Sequence, residues 1–168
     1  MSAMKNIYTR TGDQGETSLR EGVRVAKDDL RIETNGQIDH LNALLGVIRS
    51  QLPEGDAHEL IHSIQSELMI IMSYVATPDG KSNPRQLHTE RLTLLMEQAI
   101  DAAHTEGGFV IPGNGSQLSA FIHLARTQAR TVERRLWTLS REHAVDESIL
   151  KMMNRLSDYL FVLAIEKE

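Results

Sequence analysis

"LSAFIHLARTQARTVERRLWTL", residues 118–139, sets Leu118, Ile122, Ala125, Ala129, Val132, Leu136 and Leu139 at alternating steps of four and three. That is a heptad seam, the mark of a helix that buries one stripe against its neighbours. Helical spacing extends on both sides of it. A first helix is predicted to begin at Asp28 or Asp29, where acidic side chains suit the positive end of a helix. It carries Ile38, Leu41, Leu45, Ile48 and Leu52, and Pro53 stops it. A second carries Ile61, Ile64, Leu68, Ile71 and Val75 and ends ahead of Pro78. A third, from Thr89 to His104, presents Leu92, Leu95 or Met96, and Ala99. After the seam helix, a fifth offers Ile149, Met152 or Met153, Leu156, Leu160 and Leu163. Five amphipathic helices with short connections predict an all-α fold. We expect an up-and-down five-helix bundle with four-helix-bundle-like, ferritin-like packing at shallow crossing angles.

A chain of 168 residues forms one domain on this reading, with residues 28–168 as the bundle and 1–27 as a separate leading segment. Only 4% of the residues are aromatic, which suits helices better than a β-sandwich. The net charge of −5 argues against a nucleic-acid partner, because phosphate backbones require a basic face. Any phosphate site must therefore be local. Cysteine is absent, so no disulfide framework or thiolate metal site is available. No apolar run approaches the ~20 residues of a membrane span. The start "MSAMKNIYTR" has no apolar stretch of the secretory type. A cytoplasmic protein without membrane contact is expected.

The leading segment departs from the helical pattern. In "YTRTGDQGETSL", residues 8–19, three Thr, one Ser, two Gly, an Arg and an Asp leave only Tyr8 and Leu19 apolar. Such a stretch makes neither a core strand nor an amphipathic helix. One reading is a frayed terminus. The other starts from composition: Gly lets backbone N–H groups converge, Thr and Ser add donors, and Ile7, Leu19 and Val23 are spaced as apolar anchors. Together these make an anion cradle. The P-loop pattern is missing, since no Lys follows Gly12 and Gly15 at the required spacing. Lys27, just before the first helix, is placed to supply a mobile cation instead.

The seam helix also carries Arg126, Arg130 and Arg134 at successive steps of four, with Glu133 three residues after Arg130. These form either a solvated basic edge or a phosphate-contacting face. In the fifth helix, Asn154 and Asp158 lie one turn apart. An Asn beside an Arg/Glu face can read an adenine or a ribose. "HELIH", His58 to His62, spells the zinc-protease pattern letter for letter. However, Gln65 stands where the metzincin extension needs Gly and Leu68 where it needs His. We read the five letters as a coincidence and assign no metal ligands. His40 and His123 lie beside apolar stripes, in packed or surface roles.

In this order, "TRTGDQGETSL", "VRVAKDDLRIETNGQIDHLNALLG", "FVIPGNGSQLSAFIHLARTQARTVERR" and "MNRLSDYLFVLA" resemble the PduO-type ATP:cob(I)alamin adenosyltransferases. The likeness covers roughly two-thirds of the chain and is weak between about Pro53 and Glu106. It implies a homotrimer with active sites between subunits. It also implies transfer of the 5′-deoxyadenosyl group of ATP to the cobalt of reduced cobalamin, with tripolyphosphate leaving and Mg²⁺ accompanying the nucleotide. A reductase and an adenosylcobalamin-dependent acceptor enzyme would be the partners.

By the same resemblance, Thr9, Arg10, Thr11, Gly12, Asp13, Gly15, Thr17 and Ser18 wrap the triphosphate, and Lys27 neutralises its charge. Arg130, Glu133 and Asn154 hold the nucleotide from the helices, with Arg134 beside them. Asp39 and Arg126 correspond to an ion pair across the subunit boundary. Phe109 corresponds to the apolar residue that keeps the lower axial base off cobalt. Three positions depart from the family pattern: His40 replaces the usual Glu, Thr131 replaces an Arg, and "PGNGSQ" is one residue longer than usual. The competing expectation is a trimeric module that binds ATP or a corrinoid for delivery without turnover. The Phe109 loop separates the two, because a plain ATP binder has no use for it.

Overall fold

The computed structural model describes residues 7–105 and 108–168. Five helices dominate: α1 (Leu30–Gln51), α2 (Asp56–Val75), α3 (Thr89–Ala102), α4 (Gln117–Leu139) and α5 (Glu147–Glu166). Before them, β1 (Glu16–Ser18) and β2 (Arg24–Ala26) pair antiparallel, with Thr17 opposite Val25.

Helix limits follow local chemistry. Asp29 caps α1 by accepting from the backbone N–H of Arg31 at 2.9 Å, and its carboxylate also holds the Arg31 guanidinium. Ser116 and Asp146 cap α4 and α5 in the same way. The predicted stops at Pro53 and Pro78 hold, with α1 and α2 ending a few residues ahead of each. The third helix closes two residues earlier than expected, and His104 beyond it takes a left-handed φ of 48°.

Helices α1, α2, α3, α5 and α4 follow one another around the bundle, and α4 closes the ring on α1. Side-chain pairs fix the directions. Arg135 on α4 meets Glu33 on α1 while Gln128 meets Gln37, so these two run antiparallel. Thr89 bonds Ser148 and Glu97 bonds Arg155, so α3 and α5 run parallel. The up-and-down order therefore stands. Not every connection is short, though: residues 76–88 and 103–116 are long links, and the second must pass α5, which lies between α3 and α4 in the ring.

The seam is the core. Ile122, Ala125, Ala129, Val132, Leu136 and Leu139 are buried together with Ile38, Leu41, Leu45 and Ile48 of α1 and Met152, Met153, Leu156 and Leu160 of α5. Leu118, at the open start of α4, is only partly covered. In α3, Met96 takes the core position and Leu95 the flank. Truncating a central member such as Leu136 to Ala removes about 2–5 kcal/mol of stability by the usual cost of a core cavity.

The leading segment is not a plain loop. Its hairpin docks on the end of α2, where the Arg20 N–H donates to the Ala76 carbonyl at 2.9 Å and Arg20 Nη1 donates to Ser73 Oγ at 2.8 Å. Of the three expected apolar anchors, only Leu19 is buried, while Ile7 and Val23 are exposed. Polar anchoring by Arg20 does the work expected of the other two. Residues 1–6 lie outside the described residues.

Candidate functional site

The hairpin carries the first half of the site. Ahead of β1 the chain makes two successive turns, with the Asp13 N–H donating to the Arg10 carbonyl and the Gly15 N–H to the Gly12 carbonyl. Arg10 adopts φ 61° and Gly15 φ 85°. Those two left-handed positions bracket the turns, one at either end of residues 10–15. The loop is tied down by one cationic side chain and one backbone amide. Arg24 Nη2 donates to the Thr11 carbonyl at 2.8 Å, and the Lys27 N–H donates to the Gly15 carbonyl at 2.9 Å. The Lys27 ammonium lies over Gly12: a methyl group added there would sit 3.1 Å from Nζ. Thr9 and Thr11 share a hydroxyl–hydroxyl hydrogen bond of 2.8 Å. Thr9, Arg10, Thr11, Gly12, Asp13, Gly15, Thr17, Ser18 and Lys27 therefore share one small, polar, donor-rich structure. Arg24 belongs with them and was not anticipated, because its role depends on strand register.

The second half lies between α4 and α5. Glu133, Trp137, Val145, Leu150, Lys151 and Asn154 line one open cleft of about 510 Å³. Glu133 and Asn154, expected together from spacing and resemblance, do face the same space. Trp137 and Lys151 complete it and were missed, because their meeting depends on the register of α4 against α5. Arg130 is exposed one turn before Glu133 and Arg134. Arg134 donates to Thr131 Oγ1 at 3.1 Å, so the Thr that replaces the family's Arg steadies the next cation. Asp158 is committed to Arg155 at 3.0 Å and does not join Asn154 in the cleft.

Arg126 sits half-buried beneath Arg130. Burial and the neighbouring Arg130 charge lower its pKa from the ordinary arginine value. A cation so placed favours a carboxylate partner. Within one chain Asp39 does not supply it: Asp39 is exposed on α1, and no ion pair to it is found among the described residues. Phe109 is fully exposed, at 110%, in the link that leads into α4. Glu133 lies about 25 Å along α4 from that end, at ~1.5 Å per residue. A single chain therefore brings together neither Phe109 and the cleft nor, by any hydrogen bond among the described residues, the hairpin and Arg130.

His58 and His62 lie on α2 with Glu59 exposed between them. Among the described residues no group of three or more His, Asp or Glu side chains could hold a metal ion. No helix among the described residues is long and apolar enough to cross a membrane.

The helical bundle thus carries a polar hairpin at one end and, on its flank, a cleft bearing Glu133, Lys151 and Asn154. The sequence profile of the family described as "Cobalamin adenosyltransferase" matches residues 7–167, and the chain belongs to that family. A corrinoid adenosyltransferase of Citrobacter freundii is 36% identical over 96% of this chain and 94% of its own length. The Mycobacterium leprae corrinoid adenosyltransferase is 38% identical over 96% and 90%. Against the longer Salmonella typhimurium corrinoid adenosyltransferase PduO, at 37% identity, the match covers 94% of this chain and 48% of that protein. Among solved structures, a phenylalanine-to-histidine variant of the Lactobacillus reuteri PduO-type ATP:corrinoid adenosyltransferase, complexed with cobalamin and ATP, superposes with TM-score 0.85. It shares 32% identity, covering 94% of this chain and 88% of that one.

Proposed function

We propose that the chain transfers the 5′-deoxyadenosyl group of ATP to the cobalt of cob(I)alamin, giving adenosylcobalamin and tripolyphosphate. The observation that carries this reading is the single cleft shared by Glu133 and Asn154 in a chain that matches the family from residue 7 to residue 167. In the transfer, the electron pair of Co(I) forms the cobalt–C5′ bond while the bond from C5′ to the triphosphate oxygen breaks. The nucleophile belongs to the corrinoid, so the protein supplies no general base. Its work is alignment, exclusion of water and stabilisation of the departing charge. Thr9 to Ser18 and Lys27 receive the triphosphate, with Arg130 and Arg134 adding charge from α4. Glu133 and Asn154 hold the nucleoside. Phe109 takes the lower face of the corrinoid.

Mg²⁺ fits this donor set as a passenger on the nucleotide. No carboxylate cage converges among the described residues, and such ions are commonly held by phosphate oxygens, water and one or two protein oxygens. Asp13 and the Thr9–Thr11 hydroxyl pair would supply the protein oxygens. When bound, the ion supplies charge neutralisation on the leaving group.

The active unit on this reading is a homotrimer with sites between subunits. The separation of Phe109 from the cleft, and the half-buried Arg126 with no carboxylate partner among the described residues of its own chain, support it. Asp39 of a neighbouring subunit would then pair with Arg126. A reductase supplies the electron and an adenosylcobalamin-dependent enzyme takes the product. A cysteine-free chain acting on a strongly reduced metal suits a reducing compartment, and we place it in the cytoplasm. The test is anaerobic. The protein is mixed with ATP, Mg²⁺ and chemically reduced cobalamin, and the Co(I) spectrum should convert to that of the alkylated form. A persistent Co(I) spectrum with bound ATP would favour delivery without turnover.

A further inference from the structure

The only tryptophan of the chain stands half-exposed, at 52%, on a helix whose seam is buried from Ile122 to Leu139. Trp137 follows Glu133 by one turn of α4, and both face the cleft whose far wall is Lys151 and Asn154. Long side chains on a helix lean toward its N-terminus, which brings the indole over the Glu133 end. Leu150 and Val145 supply an apolar floor beneath. An aromatic face, an apolar floor and polar groups at the rim are what a nucleoside requires, and about 510 Å³ accommodates one. We propose that Trp137 is the base platform of this cleft, stacking on the purine of the bound nucleotide and setting the preference for a purine triphosphate. The proposal rests on the reading that Glu133 and Asn154 hold the nucleoside.

Because no other tryptophan contributes, emission excited at the red edge, where the three tyrosines do not absorb, reports this side chain alone. The full chain is titrated with ATP, UTP and inorganic tripolyphosphate, following emission and heat of binding in parallel. ATP should quench the emission, tripolyphosphate should bind without quenching, and UTP, with its smaller ring, should bind more weakly than ATP. Trp137→Ala should raise the KM for ATP about tenfold, the scale of one lost base stack, with kcat little changed. Its tripolyphosphate affinity should match that of the parent. Trp137→Phe should recover most of the loss. Calorimetric ATP binding with no change in emission would overturn the platform and leave the proposed function standing, as would an unchanged KM in Trp137→Ala. Absence of any ATP binding would overturn both.

Discussion

Arg126 Nε donates to His123 Nδ1 at 3.2 Å, one turn apart on α4, and the imidazole is 2% exposed. The acceptor nitrogen carries no proton, so the ring is neutral with its proton on Nε2. That second nitrogen has no hydrogen-bond partner among the described residues, and the ring edge rests near Phe161. Burial, then the Arg126 charge, lower the His123 pKa from its ordinary value, with Glu168 pulling the other way. A base with a depressed folded pKa binds fewer protons folded than unfolded. Stability must then fall as pH drops below the unfolded value of about 6.5 and continue falling toward the folded pKa. We expect melting temperatures between pH 8 and pH 5 to show this loss, and His123→Leu to lose less over the same range. Equal pH slopes in parent and variant would show that this ring does not titrate as described.

Arg130→Ala should slow adenosyl transfer by about tenfold or more, since a charge-assisted contact to phosphate contributes roughly 1.5–3 kcal/mol. The residue is exposed, so its loss should leave melting within about 0.5 kcal/mol of the parent. Spectral conversion of Co(I) at saturating cobalamin gives the rate. Parent kinetics in the variant would remove Arg130 from the site.

The sequence exposed those parts of the molecule that repeat. The stripe from Ile122 to Leu139 announces itself through periodicity, and Pro53 and Pro78 through backbone chemistry. The hairpin escaped because strands of three residues, with sequences ETS and RVA, are too short for alternation to register. Ser119 was not expected in the core, and His123 was left between a packed and a surface role, since a polar letter on an apolar face reads as flank until its partner is known. Trp137 and Lys151 escaped for a third reason: a cleft between α4 and α5 depends on their relative register, which neither helix encodes alone. Spacing had suggested Asn154 beside an Arg/Glu face, and motif resemblance added the register information that joins it to Glu133.

Asp39→Asn tests the assembly. The substitution keeps the shape and removes the charge, and with no ion-pair partner for Asp39 among the described residues of its own chain, monomer folding should not suffer. Sedimentation should show trimers dissociating at lower dilution than the parent, or turnover should drop at constant trimer content. An unchanged oligomer with unchanged kinetics would mean that Arg126 finds its carboxylate elsewhere or does without one.

Gly12→Ala probes the hairpin half without deleting any functional group. The added methyl would lie 3.1 Å from Lys27 Nζ, 3.2 Å from its Cε and 3.4 Å from the Glu16 carbonyl oxygen. Gly12 lies outside the left-handed region that Arg10 and Gly15 occupy, so the substitution brings steric crowding rather than backbone strain. The end of a lysine is the softest of these neighbours and must move. Folding should therefore be unaffected, while the ammonium is displaced from the loop that would hold the triphosphate. At an effective dielectric near 20, moving a unit charge from about 4 Å to about 6 Å from a phosphate oxygen weakens their attraction by roughly 1.4 kcal/mol. The KM for ATP should rise several-fold, and more steeply at low salt than at high salt, where screening already weakens the contact. Lys27→Ala should raise it further, and the double variant should add nothing to the lysine change alone. Additive effects would show that Gly12 and Lys27 act on the nucleotide separately rather than through the contact described.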